Sequence, residues 1–212
     1  VDQASKLHNQ HDQRHTDATA IADAELIAAY LAVLPRAPSF LDVCDVEERL
    51  LLANTFSKNW AMTGWRVGWL QAPRELGPVI ERIIQYNTSG TAAFLQRGCV
   101  AALDSGDDFI AMQVTRALAN RDLVVNFLRE FPQIRFEVPT GAFYMFFKIE
   151  GMTDSAATAR RLIDEAGVGF APGSAFGADG EGFMRMCYLR DPAQLQEALN
   201  RFGQWLKTNH PK

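Results

Sequence analysis

The sequence predicts an α/β chain on three observations. An uninterrupted apolar run stands at Leu50, Leu51, Leu52 and Ala53, strand-like and helix-like stretches alternate from there onward, and the last stretch repeats apolar residues at helical spacing. The apolar run predicts a strand buried on both faces, as in an interior parallel sheet. Bulky residues around Gly68 predict a second strand over 65–70, followed by helices over 76–85 and 91–103. A long helix is expected over 107–131, with Ser105 as its cap, Asp107 and Asp108 favourable to its N-terminal dipole, and Pro132 as its stop. Strands are expected over 135–138 and 143–149, a helix over 154–166 closed by Gly167, and strands over 168–171 and 183–188. The final helix starts at Asp191 as N-cap and Pro192 at its first position, and carries Leu195, Leu199, Phe202 and Leu206 on one face.

The first residues differ in kind. Residues 1–17 are dominated by Gln, Asp, His, Lys and Arg with almost no apolar periodicity, which predicts an unstructured polar arm. Residues 18–34 are rich in alanine and favour a helix, while 19–22 also reads as a short buried strand ending at Asp23; both readings stay open. The chain starts at Val1 rather than methionine, so the expectation is that something upstream is missing.

Bulk properties exclude several classes. With 212 residues, 48% apolar and 22% charged, the chain can bury a core of its own and is not of disordered composition. A net charge of −4 carries no nucleic-acid footprint. The longest weakly charged stretch, 21–34, holds Asp23 and Glu25 and ends at Pro35, too short and polar to span a bilayer. Three widely spaced cysteines, Cys44, Cys99 and Cys187, fit a reducing cytoplasm. His8, His11 and His15 could share a helical face, yet no cysteine or core stands near them, so no metal site is expected.

The chemistry concentrates where the first strand ends, at Asn54-Thr55-Phe56-Ser57-Lys58 and on through Met62-Thr63-Gly64-Trp65-Arg66-Val67-Gly68. Open α/β sheets bind ligands at strand ends. A lysine between a buried strand and aromatic neighbours is expected to be partly desolvated, which frees its amine as a nucleophile toward an aldehyde. Thr55, Ser57 and Arg66 together form a donor set suited to a phosphate dianion. Trp60, Trp65, Trp69 and Phe143 read as core and interface residues rather than stacking platforms.

The order Ser57-Lys58-x-x-x-Met62-Thr63-Gly64-Trp65-Arg66-x-Gly68 resembles the lysine motif of class I/II aminotransferases. Two later stretches are similar to the same family: Pro139-Thr140-Gly141-Ala142-Phe143-Tyr144, and Pro172-Gly173-Ser174-Ala175-Phe176-Gly177 followed by Arg185. The resemblance covers residues 40–212 and implies the C-terminal half of a fold type I pyridoxal-phosphate enzyme. Residues 18–105 would be the remnant of the cofactor-binding large domain, with a truncated parallel-type sheet, and 106–212 an α+β small domain. By the same resemblance the cofactor is pyridoxal 5'-phosphate and Lys58 is the catalytic Schiff-base lysine that also moves the proton at the substrate Cα. Thr55, Ser57 and Arg66 would hold the cofactor phosphate, and Arg185 the substrate α-carboxylate.

The implied activity is amino-group transfer from an amino acid to a 2-oxo acid, by a homodimer when full-length, with neither nucleic acid nor membrane as partner. Tyr86 and Asn87 lie where relatives place loop residues near a neighbouring subunit's site, and no role is assigned to them. Before the lysine, the family carries a glycine-containing phosphate loop, a stacking aromatic, an Asn and an Asp-x-x-Tyr pair. Here Asp23 stands at about the right distance to be the pyridinium partner, but Leu26 occupies the tyrosine position. A fragment with impaired cofactor binding and activity is therefore expected. The alternatives are a non-catalytic domain on the same scaffold and a gene remnant without independent activity.

Overall fold

The computed structural model describes residues 39–45 and 47–209. The polar arm, the helix-or-strand stretch with Asp23 and Leu26, and the three N-terminal histidines lie outside the described residues. The chain divides into two compact units between Asp107 and Asp108.

In the first unit, a 3-10 turn at Phe40–Asp42 is closed by a capping box: Ser39 Oγ accepts from the Leu41 amide, and Asp42 accepts from the Ser39 amide at 2.7 Å. Strand β1 (Leu52–Thr55) pairs antiparallel with β2 (Gly68–Gln71), Thr55 opposite Gly68. Helices α1 (Gly77–Asn87) and α2 (Ala93–Ser105) follow. The expected interior parallel strand over 50–53 is corrected here. It starts two residues later, Leu51 is 56% exposed, and every strand pair among the described residues is antiparallel. The reason is the connection: the chain leaves β1 at Phe56 and returns to donate Phe56 N–H to the Val67 carbonyl, which closes a hairpin without any crossover. No third strand among the described residues covers it.

The cap expected at Ser105 is corrected as well. Ser105 is the last residue of α2, and its hydroxyl donates back to the Ala101 carbonyl at 2.9 Å. Gly106 ends that helix at a tight spot, since a Cβ there would meet the Ala102 carbonyl oxygen and Trp60 Nε1 within 2.5 Å.

The second unit opens with α3 (Asp107–Arg129) and continues through β3 (Ile134–Phe136), β4 (Tyr144–Ile149), α4 (Ser155–Ala166), β5 (Ala171–Pro172), β6 (Phe183–Cys187) and α5 (Pro192–Asn209). Its antiparallel sheet has the order β3-β4-β6-β5. Strict alternation builds the core. Met145, Phe147 and Ile149 of β4 and Met184 and Met186 of β6 are buried, while Tyr144, Phe146, Lys148 and Arg185 take the other face. Val124 and Leu128 of α3, Leu162 of α4 and the expected stripe Leu195, Leu199, Phe202 and Leu206 of α5 close over that core. Each such side chain contributes about 1.5–3 kcal/mol on burial.

The helix ends follow the sequence signals. Asp154 accepts from the Ala157 amide at 2.8 Å, Gly167 leaves α4 at φ 65°, and Asp191 accepts from the Ala193 amide at 3.0 Å. The strand expected over 168–171 shrinks to the two residues of β5, because Val168 N–H is drawn back to the Leu162 carbonyl at the end of α4. Among the described residues no helix is long and apolar enough to cross a membrane.

Candidate active site

Backbone packing dictates the hairpin end. A Cβ at Gly68 would stand 2.2 Å from the Asn54 carbonyl oxygen, so only glycine lets β1 and β2 close at that pair. Beyond it, Phe56, Met62 and Val67 turn inward onto Cys99 in a small core, and the Phe56 ring lies 5.0 Å from those of Trp60 and Trp69. The polar residues between them are left at the rim. Thr55 Oγ1 stands 2.9 Å from Ser57 Oγ and accepts the Ser57 amide at 3.0 Å, which fixes the two hydroxyls side by side.

Arg66 adopts a left-handed backbone at φ 55°, uncommon for a residue with a side chain, and its Nη1 donates to the Thr63 carbonyl at 3.1 Å. Thr55, Ser57, Lys58 and Arg66 thus emerge at one end of one hairpin. Two hydroxyls, a guanidinium and an amine are suitable chemistry for a phosphorylated aldehyde.

The expected desolvation of Lys58 is not found. Ser57 is buried but Lys58 is exposed, because the apolar neighbours Phe56 and Trp60 face the hairpin's own small core and do not wall in the amine. Of the four aromatics read as core or interface, Trp60 packs on that core and Phe143 on the core of the second unit, while Trp65 and Trp69 are exposed.

Arg185 belongs to the second unit. It is half-buried on the outer face of β6, opposite Phe146 and Ala171. Two rings flank it: Tyr144 of β4 with its centroid 4.4 Å from the guanidinium carbon, and Phe176, from the 3-10 turn Gly173–Phe176 after β5, at 4.3 Å. None of the ion pairs among the described residues involves Arg185. The sequence reading assigned no role to Tyr144 or Phe176, although both stand in stretches that carried the resemblance. Their signal was the strand alternation that puts Tyr144 on the face of Arg185.

The family described as Aminotransferase class I and II matches residues 21–202. The chain belongs to the class I and II aminotransferases. An aspartate aminotransferase of Pyrococcus horikoshii is 36% identical over 163 residues, covering 76% of this chain and 42% of that relative. An LL-diaminopimelate aminotransferase of Nitratidesulfovibrio vulgaris is 33% identical over 169 residues, covering 80% and 43%. Among solved structures, an aspartate aminotransferase of Thermotoga maritima superposes with a TM-score of 0.73 at 32% identity, covering 82% of this chain and 44% of that one. An aromatic aminotransferase of Pyrococcus horikoshii gives 0.76 at 31%, covering 84% and 48%. The aminotransferase chain described here thus spans under half the length of the curated relatives it matches. Its fold is that part of a fold type I α/β enzyme, and the cofactor of such aminotransferases is pyridoxal 5'-phosphate.

Proposed function

We propose that the chain carries the lysine and carboxylate-binding parts of an amino acid:2-oxo acid aminotransferase site. The observation that carries this reading is the hairpin end, where the paired hydroxyls of Thr55 and Ser57 precede Lys58 and the chain returns to β2 through Arg66. Thr55, Ser57 and Arg66 hold a phosphate dianion by charge-assisted hydrogen bonds. Lys58 would supply the amine that holds the cofactor aldehyde and, once the substrate amine has displaced it, the free base that takes and returns the proton at the substrate Cα. Arg185 binds the substrate α-carboxylate through the parallel N–H groups of its guanidinium. Bound pyridoxal phosphate contributes an electrophilic aldehyde and a ring that accepts the electron pair released at Cα.

On this reading residues 18–105 belong to the cofactor-binding large domain and 106–212 to the small domain, and the whole enzyme is a homodimer acting on an amino acid and a 2-oxo acid. Three unpaired cysteines support a reducing cytoplasm as its compartment. Exposure of Lys58 favours a limit on the chain by itself: donors open to water exchange hydration for ligand with little net gain, so cofactor binding is weak and turnover poor. A non-catalytic role draws on that same exposure.

The test is borohydride reduction of the chain incubated with pyridoxal phosphate, then peptide mapping. The label is expected on Lys58 and lost in Lys58→Ala; a label spread over Lys148 and Lys207 in proportion to exposure sinks the assignment. A tight cofactor absorption band would contradict the weak binding while leaving the lysine in place.

A further inference from the structure

We propose that Tyr144 and Phe176 are positioning residues that clamp the Arg185 guanidinium so that its N–H edge is presented to a carboxylate; the inference rests on the proposed role of Arg185. Sheet order dictates the clamp. Strand β6 lies between β4 and β5, so Tyr144 reaches Arg185 from one neighbour of β6 and Phe176 from the turn that follows the other. Rings at 4.3 and 4.4 Å from the guanidinium carbon stand at cation–π distance, and the groups left to a ligand are the N–H donors that point away from them.

The rings are themselves held. Phe143 packs on Tyr144 at 4.6 Å, Phe146 meets Phe176 edge-on at 6.2 Å, and Phe183 stacks on Phe146 at 4.8 Å with 2° between planes. The turn carrying Phe176 is fixed by backbone contact. A Cβ at Gly173 would stand 2.0 Å from the Gly180 carbonyl oxygen, Gly177 has φ 121°, and Ser174 Oγ is 2.9 Å from the buried Ser155 hydroxyl. This support holds Phe176 in place although the residue is 49% exposed. It suits a long side chain that must be ordered before its ligand arrives, since immobilising such a side chain on binding weakens affinity by about two- to tenfold.

The test uses the full chain, with the Arg185 Nε–Hε resonance followed by NMR and propionate as a probe that cannot react with Lys58. In the unmodified protein the resonance is expected to be ordered, with an order parameter near the roughly 0.85 of rigid backbone. Propionate should shift it together with the backbone amides of β6, and Arg185→Lys should abolish the shift of those amides. Tyr144→Leu and Phe176→Leu should each raise the propionate Kd about two- to tenfold, whereas Tyr144→Phe and Phe176→Tyr, which keep the rings, should stay within about twofold.

A propionate-insensitive Arg185 in the unmodified protein overturns the carboxylate role itself. Propionate binding that survives ring removal overturns the clamp alone, as does Tyr144→Phe failing as badly as Tyr144→Leu. Should the leucine variants not fold, an Arg185 resonance with an order parameter below about 0.6 in the unmodified protein also overturns the clamp.

Discussion

At the scale of single residues, Asn120 has consequences beyond its own volume. It is buried in the middle of α3, and its side-chain amide donates to the Tyr188 carbonyl at 2.7 Å and the Arg190 carbonyl at 2.9 Å, just past the end of β6. Tyr188 passes the constraint on. Its amide donates to the Phe143 carbonyl, and its hydroxyl, held above its ordinary pKa by burial, donates to the Ala142 carbonyl at 3.2 Å. Ala142 has φ 59°, a conformation that needs such an external hold. Asn120→Ala strips the donors from two carbonyls and is expected to destabilise the second unit by about 2–3 kcal/mol. The check is the urea midpoint of that unit, and an unchanged midpoint would mean that water replaces the amide. Nothing in the sequence marked Asn120, because a mid-helix asparagine is ordinarily a solvated one and its partners lie 68 and 70 positions away.

At the scale of elements, α4 shows how charge holds a helix in place. Its N-terminus is capped by Asp154, and Glu181 also accepts from the Gly182 and Ser155 amides, at 2.9 and 2.6 Å. Those hydrogen bonds, Gly182 first, hold the Glu181 carboxyl below its usual range. Farther along, Glu165 is held low by Arg161 and then by Trp205, which donates to it from α5 at 2.7 Å. A carboxyl whose folded pKa is depressed adds stability that is complete above its unfolded value and disappears as pH falls through the folded one. Resistance of the second unit to urea should therefore decline between about pH 5 and pH 3. Glu181→Gln, which keeps an accepting oxygen but no charge, should flatten that decline. A pH profile identical to the unmodified protein would refute the assignment.

The same elements show what was legible. The cap at Asp191, the exit at Gly167 and the stripe on α5 were readable because they are local, with side chain and backbone group within four positions, whereas Asp154 was read as the first helical residue and caps the helix instead. The pairing of β1 was not readable, because an apolar tetrapeptide fits a buried parallel strand or an antiparallel hairpin equally well and only its neighbours decide. For the candidate site, order in sequence was enough to gather Thr55, Ser57, Lys58 and Arg66. The exposure of Lys58 and the rings around Arg185 depend on long-range packing that no motif encodes.

At the scale of the whole molecule, the described residues of the two units differ in how much apolar surface they bury. Among them, nineteen buried side chains form one core in the second unit, against four in the first. Apolar groups of α1 and α2 remain exposed among the described residues, with Ile83 at 58% and Phe94 at 73%. Burial is the main term opposing chain entropy, so a small core leaves little margin for local opening. The first unit is expected to open without the second. Hydrogen exchange followed by mass spectrometry should give amides of β1, β2, α1 and α2 opening free energies at least about 2 kcal/mol below those of β4, β6 and α5, the deficit of only one or two buried side chains. Saturating pyridoxal phosphate should protect the β1–β2 hairpin preferentially, since a ligand stabilises only the state that binds it. Uniform protection across both units would show instead that they open as one, and a hairpin unmoved by the cofactor would mean that Thr55, Ser57 and Arg66 do not grip its phosphate.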